Sequence, residues 1–134
     1  MTDEEFLRAL ESCTLPESEF GHHAHVRAGY LYLKKSVFAE ALARIRRSIR
    51  AYAAHYGKPD RYHETITVAY LALIQQCIFE RGDAGGWMTF AQCNPELFNP
   101  ELLGQFYDRD VLESKMARRV FLLPRSKLFR CART

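Results

Sequence analysis

Along the chain, apolar residues recur at three- and four-residue steps and almost never alternate, which is the period of a helix and not of a strand. Phe6, Leu7 and Leu10 form the first such stripe. Thr2 followed by Glu5 is a capping-box pattern ahead of it, so a short helix is predicted to end near Cys13. Leu15-Pro16 interrupts the period, and residues 16–21 read as a loop. The stretch from His22 to Lys35 is predicted as a buried helix carrying Val26, Ala28, Tyr30, Leu31 and Leu33, with Gly29 allowing close approach of a neighbour. Ser36 is the expected N-cap of a third helix bearing Phe38, Ala41, Leu42, Ile45, Ile49 and Tyr52, which Gly57-Lys58-Pro59-Asp60 ends.

A fourth long helix is predicted over residues 62–81, terminated by the glycine-rich stretch 82–86. A short helix over 87–93 and a compact segment punctuated by Asn94-Pro95 and Asn99-Pro100 lead to Leu102, Leu103, Phe106 and Tyr107. The last helix is expected over 111–121, entered through Asp110 and Glu113 and stopped by Pro124. Hairpin signals are missing and no repeat is visible, so the reading is all-α: one helical bundle of about five to six helices spanning 1–134, with a basic tail from about residue 125. Tyr30, Tyr32, Tyr52, Tyr56 and Tyr70 are expected in its core.

Composition narrows the function classes. With 134 residues, 48% hydrophobic and 26% charged, the chain suits a single packed core. The net charge of +3 owes much to Arg125, Lys127, Arg130 and Arg133 in the tail, which argues against nucleic-acid partners. Arg44, Arg46, Arg47 and Arg50 make the third helix basic and read as a solvated face, with an interaction surface as the alternative. No signal-peptide pattern and no run of roughly 20 apolar residues is present, so a cytoplasmic protein without a membrane partner is expected. Cys13, Cys77, Cys93 and Cys131 are scattered and read as reduced thiols. No glycine-rich fingerprint supports a nucleotide cofactor.

The chemistry-bearing residues fall on two segments. His22 and His25 share a helix face, whereas His23 projects about 100° away from His22. His63, Thr67 and Tyr70 stand at i, i+4 and i+7 on the fourth helix, with Glu64 on the adjacent face. Mutual burial of the two polar stripes would relieve both, so His25 and His63 are expected to face one another across a cavity walled by His22, Glu64, Thr67 and Tyr70. Imidazoles with a carboxylate suit a divalent transition metal, zinc or iron, held by His22, His25 and His63; they equally suit metal-free acid and base work by His25, His63 and Glu64. Arg27 and Arg118 offer planar forks for a substrate carboxylate or phosphate, and Ser114 reads as a local hydrogen bonder.

The segments Phe20-Gly21-His22-His23-Ala24-His25-Val26-Arg27 and Tyr62-His63-Glu64-Thr65-Ile66-Thr67 resemble the two signatures of an uncharacterised family of small bacterial proteins, F-x-H-x-x-H-x-R and Y-H-x-T-I-T. A weaker likeness runs through Phe106-Tyr107 and residues 112–118. The resemblance implies that His22, His25, Arg27, His63, Glu64, Thr65, Thr67, Ser114 and Arg118 occupy motif positions and that His23 and His55 do not; it carries no activity. The expected function is a small-molecule enzyme performing elimination, cyclisation, isomerisation or hydrolysis. A non-enzymatic metabolite- or metal-binding module is the first alternative, and a homo-oligomer is compatible with either.

Overall fold

In a computed structural model, which describes residues 1–124, the chain folds into seven α-helices, and no strand occurs among the described residues. The basic tail lies outside them. Helix α1 (Asp3–Glu11) starts on the anticipated capping box: the Thr2 hydroxyl accepts from Glu5 N–H at 3.1 Å, and the Glu5 carboxylate accepts from Thr2 N–H at 3.2 Å. Its buried Phe6, Leu7 and Leu10 join the core. Helix α2 (His22–Lys35) packs against α1, α3 (Phe38–His55) and α4 (Glu64–Arg81), and it buries Tyr30 and Tyr32 almost completely. Because the Tyr32 hydroxyl donates to Glu11 at 2.7 Å, it accepts from Ser48 at 2.7 Å, and one phenol ties three helices together.

Gly29 is where α2 and α4 meet. A Cβ built there would lie 2.9 Å from the Ile74 Cδ1 and 3.3 Å from the Leu71 Cδ1, closer than packed carbons tolerate without a shift. A branched side chain at this position would force the Ile74 and Leu71 side-chain ends out of their packed positions. Gly29→Val is therefore expected to destabilise the fold by about 1–3 kcal/mol, measured as a lowered urea midpoint at unchanged slope.

Helix α3 ends in a Schellman closure. The Gly57 N–H donates to the Ala54 carbonyl at 3.0 Å and the Lys58 N–H to the Ala53 carbonyl at 2.8 Å, with Gly57 at φ +71°. This reversal feeds a 3-10 turn, Pro59–Arg61, and returns the chain along α3 into α4. Beyond α4, helix α5 (Gly86–Cys93) covers α2 with Trp87 and Phe90.

Three boundary expectations need correction. Ser36 closes α2, and α3 begins after Val37 without a side-chain cap. The fourth helix begins at Glu64 because His63 is itself the N-cap. The single last helix is two short ones, α6 (Arg109–Leu112) and α7 (Lys115–Arg119), because the Ser114 hydroxyl accepts from Ala117 N–H at 3.1 Å and starts a new helix there. That bond also makes Ser114 the local hydrogen bonder its position suggested. No helix among the described residues is long and apolar enough to cross a membrane.

Candidate functional site

The loop before α2 delivers His25 in one fixed orientation. Its Nδ1–H donates to the Gly21 carbonyl at 2.8 Å, and its ring stacks on Phe20 with centroids 3.9 Å apart and planes 20° from parallel. Phe20 is itself held edge-on by Tyr52 at 4.7 Å. A carbonyl only accepts, so Nδ1 carries the proton and Nε2 carries the lone pair in the neutral ring. Nε2 has no partner among the described residues, yet it is not sealed away from solvent. Burial lowers the His25 pKa below its ordinary 6.5, and the neighbouring His22 lowers it further against the opposing pull of the Gly21 bond. At neutral pH this imidazole is a neutral base.

His25 and Ile49 line both of two neighbouring open clefts. The first, of about 420 Å³, has an aromatic wall made by Phe20, Tyr52, Tyr56 and Tyr62, and a rim carrying Glu17, Lys58, Arg61 and Arg118. Tyr52 and Tyr56 both donate their hydroxyls to the Leu15 carbonyl, at 2.6 and 3.0 Å, which orients their rings. Burial, with Tyr56 alongside, pushes the Tyr52 phenol up to about 12. The second cleft, of about 310 Å³, lies between α2, α3 and α4 and is lined by His22, Val26, Ile45, Ile66, Thr67, Tyr70, Leu71 and Ile74. No carboxylate, lysine or arginine lines it.

Four of the residues anticipated around one cavity are thus brought together: His22, His25, Thr67 and Tyr70. Each has a limited freedom. His22 donates Nε2–H to the Leu97 carbonyl at 2.9 Å and meets the Tyr70 ring edge-on at 4.8 Å. The Thr67 hydroxyl donates back to the His63 carbonyl at 2.8 Å. Tyr70 makes no hydrogen bond among the described residues, and burial raises its pKa, so the phenol stays protonated as a donor.

His63 does not join them. Its Nδ1 accepts from Ile66 N–H at 3.1 Å as the cap of α4, so Nε2 carries the proton and donates to the Leu112 carbonyl at 2.6 Å. Both ring nitrogens are used, and His63 lines neither cleft. Two residues on, the fully buried Thr65 donates to the Val120 carbonyl at 2.8 Å and accepts from Leu122 N–H at 3.1 Å. The Y-H-x-T-I-T segment therefore ties the C-terminal helices to α4; the expected His25/His63 confrontation is corrected by these bonds.

Glu64 is likewise engaged elsewhere. Arg46 grips it through Nε at 3.0 Å and a terminal nitrogen at 2.6 Å, and the Tyr62 hydroxyl donates to it as well. Burial pushes its pKa up, but those bonds outweigh burial and hold the carboxyl below its ordinary value, so it is a bound anion and lines neither cleft. Arg27 pairs with Asp3 at 2.7 Å and lies over the Phe6 ring, joining α1 to α2, and lines neither cleft. Arg118 lines the first cleft, and one of its nitrogens donates to the Asp60 carbonyl at 2.9 Å. No three His, Cys, Asp or Glu side chains among the described residues are placed to share a metal ion, so the His22/His25/His63 ligand set is not assembled.

The basic face of α3 is also largely committed within the chain: Arg44 pairs with Glu40, Arg46 with Glu64, and Arg50 covers Tyr62. What the pattern of residues concealed was the rim. Lys58 and Arg61 belong to a turn whose course depends on the Schellman closure, and no periodicity in the sequence points them at His25. Compared with known proteins, the chain matches no family model, no curated protein and no solved structure.

Proposed function

We propose that the protein is a cytoplasmic small-molecule enzyme in which His25 Nε2 acts as general base on a substrate lying across the two clefts. The supporting observation is the imidazole itself: proton fixed on Nδ1, neutral at working pH, its other nitrogen unpartnered at the junction of two ligand-sized spaces. The chemistry this favours is removal of a proton from carbon. The electron pair left behind either shifts within the substrate, with the proton returned at a second carbon, or expels a leaving group. The first outcome is isomerisation and the second elimination. Tyr70, on the same cleft, supplies a hydroxyl donor for the oxygen on which negative charge develops.

Proton abstraction is read directly by exchange. A panel of small organic acids, ketones and hydroxy acids, incubated with the protein in deuterium oxide and followed by proton nuclear magnetic resonance, should contain a compound whose carbon-bound proton exchanges. His25→Gln should slow that exchange about 10²–10⁴-fold with the fold intact. Exchange at the wild-type rate in the variant would overturn the assignment, and ligand binding that is equal in both proteins without exchange in either would indicate a binding module.

A further inference from the structure

We infer that the ligand of this site is an amphipathic organic carboxylate, its anionic end against Arg61 and Arg118 and its apolar body between the isoleucines of α3 and α4. The inference rests on the reading that the two clefts and His25 form one site.

The two spaces differ sharply in what they can recognise. On the rim of the first, Lys58 is answered by Glu17 at 2.8 Å. Arg118 gives one nitrogen to a backbone carbonyl and keeps the rest of its fork, while Arg61 is exposed and makes no side-chain bond among the described residues. Two guanidiniums beside an aromatic wall match a planar carboxylate through paired N–H donors. Glu17 and Lys58 neutralise one another, so the charge a ligand meets on this rim is that of the two guanidiniums.

The second space has the opposite character. Ile45, Ile66 and Ile74 supply its walls, and a ligand entering it gains by leaving water. Neither end explains the other: an ion has nothing to pair with among the isoleucines, and a hydrocarbon has no reason to stop at a charged rim. A molecule carrying both ends spans the junction, which sets the carbons nearest its carboxylate beside His25.

Straight-chain carboxylates of four to ten carbons, measured by calorimetry against the full chain beside the matching primary alcohols and alkyl phosphates, test this. Carboxylates should bind at least about tenfold more tightly than the alcohols, and each added methylene should tighten binding by up to about fourfold until the cleft is filled. Arg61→Ala should remove most of the carboxylate advantage and leave the alcohols unchanged; its exposed position makes folding insensitive to the change. Alcohols binding as well as carboxylates, phosphates binding more tightly, or an Arg61→Ala variant with unaltered selectivity would each overturn the inference. His25→Gln separates it from the catalytic proposal. The preference for carboxylates over alcohols, set at Arg61 and Arg118, should persist in that variant even if overall affinity changes, so selective binding without exchange in the wild type would sink the base and spare the ligand class, whereas exchange confined to uncharged substrates would do the reverse.

Discussion

His63→Ala should lower the stability of the fold by about 3 kcal/mol, seen as a fall of roughly 10 °C in melting temperature for a chain of this length. Three losses combine. The cap on Ile66 N–H disappears, which costs about 0.5–2 kcal/mol. The Leu112 carbonyl loses its donor in a partly buried position, at about 1–3 kcal/mol. An imidazole only 9% exposed leaves a space behind it. These contributions overlap, so the expected total lies below their sum. His63→Asn isolates one of them, because asparagine caps well yet is too short to reach Leu112; it should fall between alanine and the wild type. Affinity for a ligand of the His25 clefts should change little in either variant. Full stability with lost turnover would instead return His63 to the chemistry.

His25→Gln is expected to show the opposite profile, with turnover down about 10²–10⁴-fold and melting nearly unchanged at low pH. Its pH dependence follows from the lowered pKa. The unfolded chain binds a proton on this imidazole near pH 6.5, while the folded chain resists it until lower pH. Between those values the unfolded state holds more protons, so this residue's contribution to stability rises with pH through the window and is lost as pH falls through it. Above 6.5 the contribution is constant. Urea midpoints of wild type and His25→Gln, compared across pH 5 to 8, should therefore diverge with rising pH and then run parallel. Catalysis should track the folded value: the acid limb of kcat/KM should fall below 6.5. Burial and the neighbouring His22 act in that direction, and the bond to the Gly21 carbonyl opposes them. An acid limb above 6.5 would contradict a neutral, desolvated base.

The two histidine motifs illustrate what a residue pattern conveys. The i, i+3 pairing of His22 and His25 was correct because both lie inside α2, where helical geometry alone sets their relation, and Thr67 and Tyr70 came to the same cleft for the same reason. His63 was misplaced because it is a cap. Its backbone is extended, at φ −134° and ψ 109°, so the helical register that would have aligned it with Thr67 and Tyr70 starts one residue later. Glu64 was misread for a different cause: its partner Arg46 lies 18 residues away on another helix, and only packing of α3 on α4 reveals the pair.

By itself the sequence determined the local facts: the capping box at Thr2, the apolar stripes of the long helices, the close contact at Gly29, the break at Gly57, and hence an all-α fold. Each depends on neighbours within a turn or two, where covalent geometry and side-chain entropy decide the outcome. The stop expected at Pro124 falls earlier, since the last helix among the described residues ends at Arg119. Tertiary structure alone decided which polar groups are used up and which stay available. The Leu112 and Leu15 carbonyls, and the carboxylates of Asp3 and Glu17, take donors from residues distant in the chain, and only the fold brings those donors to them. His25 remains available for the same reason. One of its nitrogens is satisfied by the backbone four residues earlier, and the packing of α3 and α4 brings no partner to the other among the described residues.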